Sequence, residues 1–247
     1  MEKPLPHFEL AQPMGIDPNS IDVDTELGAF VLVLANIYND LKGLALASQL
    51  VVDARPTAET KLAVLGQVSG LQIQINRFGA GIIHELMEKI EEHRNLIETK
   101  EFGALIARIP NAPARRSWKG LYAVAVGSPA PAGRDPDRLM LVKLRNNVAF
   151  HYSTKALAKG YRRHFHRLPK VKYADRAVFS DGDSMEGTRF YFADAAAKEA
   201  LPELTGLDDQ TLIAKLGRFT HSVNFALKHI VVAYILRMAA PTPYTGS

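Results

Sequence analysis

Residues 57–101, TAETKLAVLGQVSGLQIQINRFGAGIIHELMEKIEEHRNLIETKE, decide the class of this fold. Thr57 is a good N-cap residue. From Ala58 to Glu101 apolar side chains return at Leu62, Leu65, Leu71, Ile75, Ile82, Ile83, Leu86 and Ile90. Steps of three and four place them on one helical face. Gly66, Gly70, Gly79 and Gly81 weaken this long helix, or permit a kink or a close approach. A helix with such a stripe buries it against other helices.

The neighbouring segments repeat the pattern. Upstream, apolar residues recur at helical spacing from Leu27 to Val52, until Arg55-Pro56 ends the run. Downstream, residues 109–136 are rich in proline, with a short apolar helix or strand at Trp118–Val126 and a loop at Ser128–Pro136. Asp135-Pro136 reads as an N-cap and a first helical position, opening a helix that continues to Ala158. Residues 160–175 are basic and irregular. Two β-rich runs, Arg176–Ser180 and Thr188–Ala193, flank a Gly- and Asp-rich turn and predict a hairpin. A last helix starts near Asp208 and reaches Met238. The expected fold is therefore mainly all-α: an antiparallel helical bundle with a small β-hairpin insertion before the last helix. Residues 1–24 form an extended arm, 25–240 one domain with insertions at about 109–136 and 160–205, and 241–247 a tail.

Composition narrows the function classes. The chain has 247 residues, 47% of them apolar and 23% charged, which is ordinary globular usage. Cysteine is absent, which excludes disulfides, thiolate zinc sites and cysteine nucleophiles. The N-terminus lacks the layout of a signal peptide, and the most apolar runs, Leu27–Ala35 and His229–Met238, are too short for a bilayer. A cytoplasmic protein with no membrane partner is the expectation. The net charge of +4 hides an asymmetry. Residues 1–53 carry two lysines and eight acids, and residues 105–176 carry sixteen Lys/Arg and three acids. A concentrated positive field attracts polyanions.

No Gly-rich phosphate loop and no Gly-x-Ser-x-Gly elbow occurs. His164-Phe165-His166 offers two metal ligands at most, and no Glu-x-x-His is present, so neither a metal nor a cofactor is expected. Asp181–Glu186 reads as a plain turn. His221, Asn224 and Lys228 form one polar face of the last helix.

The chemistry concentrates in Leu141-Val-Lys-Leu-Arg145-Asn146-Asn147-Val-Ala-Phe-His151-Tyr152. Arginine holds a phosphate bidentately, and histidine moves a proton near neutral pH. On a helical wheel Leu141, Leu144, Val148 and Tyr152 form an apolar stripe flanked by Arg145 on one side and Asn147 and His151 on the other. Such a seam suits the contact between two copies of the helix. Arg77 and His84 repeat the arginine–histidine spacing loosely, but Phe78 follows that arginine and no amide accompanies it.

An arginine, a polar residue directly after it, and a histidine a few residues on resemble the motif of the HEPN-domain ribonucleases. Arg145, Asn146 and His151 match it in type and order, and the likeness covers residues 141–152. It implies a helical bundle that dimerises, with a metal-independent endoribonuclease site built across the homodimer from these three residues. Asn147 and Tyr152 are candidate supporting residues. It also implies a toxin–antitoxin, abortive-infection or antiviral setting, with an antitoxin or defence protein as partner. Some toxin members carry a modifiable tyrosine two places after the histidine. Here Tyr152 follows directly and Ser153 holds the second place, so control by tyrosine modification is not implied.

The basic stretch beyond the motif extends the RNA expectation. Lys155, Lys159, Arg162, Arg163, Arg167 and Lys170 are interleaved with Tyr161, Phe165 and Tyr173, so cations for phosphates alternate with rings for unpaired bases. Two other classes fit the same residues: a non-catalytic helical module that binds RNA or a nucleotide, and a protein-interaction bundle with a basic surface.

Overall fold

A computed structural model describes residues 14–18, 21–53, 62–127, 135–146, 153–167, 177–179, 188–237 and 242–243. Among them the chain is an antiparallel bundle of nine α-helices: α1 (Glu26–Asp53), α2 (Leu62–Glu92), α3 (Arg94–Ile97), α4 (Lys100–Ala107), α5 (Ala112–Val126), α6 (Pro136–Leu144), α7 (Thr154–Arg162), α8 (Tyr191–Thr205) and α9 (Asp209–Leu236). A π-helical turn, Arg163–Arg167, continues α7. Met14–Gly15 pair antiparallel with Thr242–Pro243.

Helices α2 and α9 occupy the middle. α2 packs on α1, α5, α6, α8 and α9, and α9 packs on α1, α2, α4, α5 and α8. Phe30 and Leu34 of α1, Ile83, Leu86 and Ile90 of α2, Phe102 of α4, Trp118 of α5, Leu141 of α6 and Leu227 and Ile230 of α9 fill one core. Of the residues picked out by the spacing in α2, Ile83, Leu86 and Ile90 are buried, with Ala80 and Met87 beside them, while Ile75 and Ile82 are half-buried and Leu71 is exposed.

The long helix expected over 58–101 breaks into three. His93 leaves helical geometry, and Thr99, in extended backbone, caps α4 by accepting from the amide of Phe102. The Trp118–Val126 run is helical. Asn111 caps α5, Pro113 sits in its first turn, and Trp118, Leu121 and Ala125 are buried. Asp135 caps α6 as its sequence suggests, accepting from the amides of Asp137 and Arg138.

Among the described residues the expected hairpin is not formed. Residues 177–179 are irregular, and Tyr191 to Ala193, which form part of the second expected strand, open α8. Residues 180–187, the expected turn, lie outside the described residues. Aromatic residues at 190–192 look strand-like, but the alanine-rich stretch behind them favours a helix and buries Ala196, Ala197 and Ala200 at helical spacing. Gly206, left-handed at φ 73°, ends α8. Residues 160–167, expected to be irregular, are helical as well.

α1 and α9 are both long and apolar enough to cross a membrane, with windows of mean hydropathy 1.3 and 1.2. The short-run argument from the sequence therefore does not hold for the helices that contain those runs. In the bundle 28% of each window is buried, where Phe30, Leu34, Leu227 and Ile230 face the core.

α7 lies on α8 at Gly160, which is buried. A Cβ there would run into the carbonyl of Ala196 and come within 3.0 Å of the Ala200 amide nitrogen. Gly160→Ala would gain about 1 kcal/mol of helix propensity. Backbone crowding costs about 1–3 kcal/mol and outweighs that gain. A net loss of up to about 2 kcal/mol in urea unfolding is expected; a more stable variant would refute the close approach.

Candidate functional site

Arg145 stands where α6 ends. Its backbone stays helical (φ −58°, ψ −48°), and Arg145 and Asn146 pass into a π-helical turn. The next described residue is Ser153, whose extended backbone and side chain cap α7 through the Ala156 amide. The helix expected over 136–158 is therefore two helices. The fixed angular step that placed Arg145 and His151 on either side of one stripe fails, because π geometry turns less per residue and Ser153 restarts the count. Asn147, His151 and Tyr152 lie outside the described residues.

The Arg145 side chain is one-third exposed, with its Nε buried. Its Nη1 donates to the Asn146 Oδ1 at 3.2 Å, and its Nη2 lies 3.6 Å from the Glu85 carboxylate. The amide directly after the arginine is therefore in direct contact with it.

Glu85 belongs to a charged network that sequence reading missed. It lies 3.9 Å from His84 Nδ1, and Glu88 lies 3.7 Å from His84 Nε2. Arg138, only 4% exposed, donates through Nη2 to Glu88 at 2.6 Å and to Glu91, and through Nη1 to the carbonyl of Ala125. The order along α2 and α6 is Arg145, Glu85, His84, Glu88, Arg138, Glu91. Two signals for it were present: acids three apart at Glu85, Glu88 and Glu91, and arginines seven apart on α6. Both spacings hold one helical face.

His84 is buried against this network. Burial pushes its imidazole below the ordinary value of 6.5, with Arg145 and Arg138 acting in the same direction and Glu88 and Glu85 opposing. It is neutral at pH 7, so the charged pairs are Arg145 with Glu85 and Arg138 with Glu88 and Glu91. On acidification the unfolded chain takes up a proton near pH 6.5 while folded His84 resists it. Stability therefore falls as pH drops from 7 through 6.5 toward the folded value. In His84→Gln this component is expected to vanish, flattening the pH dependence of urea midpoints; an unchanged slope would contradict it.

The expected RNA surface is in part present. Lys155, Lys159, Arg162 and Arg163 are exposed on α7 and the following turn, at steps of three and four. Arg163 lies 3.3 Å from Glu199 of α8, which neutralises part of its charge. The Arg167 side chain, Lys170 and Tyr173 lie outside the described residues. Tyr161 and Phe165 meet each other at 4.6 Å, and Tyr161 meets Phe192 of α8 edge-on at 6.4 Å. These rings hold α7 to α8 rather than standing free as a platform for bases.

His221 and Asn224 line a groove between α1, α2 and α9 together with Ser48 and Gln72. They do not join Arg145. Among the described residues no group of three or more His, Asp or Glu side chains is placed to hold a metal ion. Comparison with family models, with curated proteins and with solved structures returned no match.

Proposed function

We propose that this chain is a metal-independent endoribonuclease, working as a homodimer in a toxin–antitoxin or antiviral setting. What supports the reading is the arginine–asparagine pair. Arg145 is presented at a helix end, partly open to solvent, with Asn146 and Glu85 restraining its guanidinium on two sides. A fork held in place loses little freedom when it takes a phosphate. Glu85 sits beyond ideal hydrogen-bond range, so a phosphate oxygen competes for the same Nη2 at little cost.

In the proposed reaction His151 takes the proton from the ribose 2′-OH, and the freed oxygen attacks the adjacent phosphorus. Arg145 offsets the charge that builds on the phosphate oxygens. The bond to the 5′-oxygen breaks, and an imidazolium returns a proton to that oxygen. The products are a 2′,3′-cyclic phosphate and a 5′-hydroxyl. Asn146, with Asn147 and Tyr152 as candidate supports, orients the reacting groups. End-group analysis of RNA digested in EDTA tests the scheme. Cyclic phosphate ends are expected; 3′-hydroxyl ends, or cleavage that EDTA abolishes, would refute it.

The exposed cations of α7 favour a second reading, an RNA-binding module without cleavage. Salt-sensitive binding of RNA that stays intact would select it.

A further inference from the structure

A cleft of about 420 Å³ opens between α5, α6 and α9, at the end of α6 opposite Arg145. Its polar lining is Arg116 and Ser117 of α5, Asp137 of α6, and Lys215, Arg218 and Ser222 of α9. Lys215 is paired with Asp137. Arg116 and Arg218 are exposed, and neither has an ion-pair or hydrogen-bond partner among the described residues.

The two facing helices explain the surplus of charge. Together α5 and α9 carry six Lys/Arg and one acid, Asp209 at the very start of α9. Like charges brought to one concavity repel, and each guanidinium gains from an anion that both can share. With Lys215 and Asp137 cancelling, two positive charges remain, the charge a phosphate monoester dianion balances. The volume falls in the range of small-ligand sites, roughly 300–1,000 Å³. Two hydroxyls, on Ser117 and Ser222, supply neutral donors beside the cations.

We propose that this cleft is a phosphate site, with the phosphate held between Arg116 and Arg218 and met by Ser117 and Ser222. The phosphate belongs either to a free phosphomonoester or to the backbone of a nucleic-acid strand. The site stands apart from the Arg145 chemistry and does not depend on it.

The test uses the full chain and compares wild type with Arg116→Ala/Arg218→Ala. A charge-matched control, Lys42→Ala/Lys100→Ala, removes two exposed cations elsewhere. The probes are uridine 5′-monophosphate, uridine, and single-stranded oligo(dT). Oligo(dT) lacks the 2′-hydroxyl, so its binding is independent of whether the chain cleaves RNA. Binding is read by calorimetry, and folding by thermal melting.

The arginine double variant is expected to melt like wild type and to lose at least about tenfold in affinity for a phosphate-bearing probe. Loss of uridine 5′-monophosphate binding identifies a free monoester. Loss for oligo(dT) alone identifies a strand, and there the salt slope should shrink by about 0.7, for the one phosphate held. Equal affinities in wild type and variant would overturn the site, as would an equal loss in the control or binding of uridine as tight as that of its phosphate.

Discussion

Arg145→Ala is expected to lower the rate of RNA cleavage in EDTA by about 10²–10³, and His151→Ala by about 10²–10⁴. The first figure is the usual cost of deleting a donor aimed at transition-state charge. The second is the usual contribution of a positioned acid or base. Arg145→Lys keeps the charge but loses the fork, so it should recover only part of the rate. Stability should barely respond to Arg145→Ala, because its contacts with Glu85 and Asn146 are solvent-exposed and such pairs are worth about 0–1 kcal/mol. Single-turnover cleavage and thermal melting on the same samples separate the two effects. A variant that cleaves at the wild-type rate would remove its residue from the site. A rate lost only in step with melting would make Arg145 structural.

Arg138→Ala should be the more damaging change to the fold, costing about 3 kcal/mol in urea unfolding. Arg138 joins three helices. It leaves α6, reaches Glu88 and Glu91 on α2, and donates to the Ala125 carbonyl of α5. Ala125 is in the last turn of α5, where carbonyls have no partner within their helix and a cation is favoured. Glu88 and Glu91 are about half exposed and would rehydrate after the loss. The Ala125 carbonyl is less able to, since Ala125 is buried. That orphaned acceptor and the volume left by the buried stem carry most of the cost. Arg138→Met, which refills the volume but not the hydrogen bonds, should lose less. A drop below about 0.5 kcal/mol for Arg138→Ala would show that the arginine is dispensable.

These two arginines, Arg138 within α6 and Arg145 at its C-terminal end, show where reading the sequence stops. Arg145 was singled out in the sequence because a string of neighbours distinguished it. Arg138 was one cation among sixteen in the basic segment, and only the approach of α2 and α5 gives it partners. The acids were likewise unremarkable until packed. Glu85, Glu88 and Glu91 form a network because α6 crosses α2 there. The phosphate cleft was invisible for the same reason, since Arg116 and Arg218 are a hundred residues apart and meet through α5 and α9.

Local signals succeeded where the physics is local. Asp135 and Asp208, read as helix starts, each cap a helix through their own side chain, whereas the caps at Thr99, Asn111 and Ser153 went unread because the apolar spacing runs on across them. The apolar spacing of α1, α2 and α9 marks only part of the sides that enter the core, since Leu32, Leu71 and Val232 remain exposed. The hairpin failed because aromatic strand propensity at 190–192 is weak beside the burial of alanines against α7. The unbroken helix through the motif failed because a hydrophobic period persists across a π turn and a cap that interrupt the backbone.

Helical class and the starts of α1, α6 and α9 followed from the chain alone, since each depends on atoms within a turn or two of one another. Helix order in space, the His84 environment, the joining of α2, α5 and α6 by Arg138 and the concavity between α5 and α9 came only with the tertiary structure. Desolvation and long-range charge pairing belong to groups distant in sequence, and no local spacing encodes the distance between them.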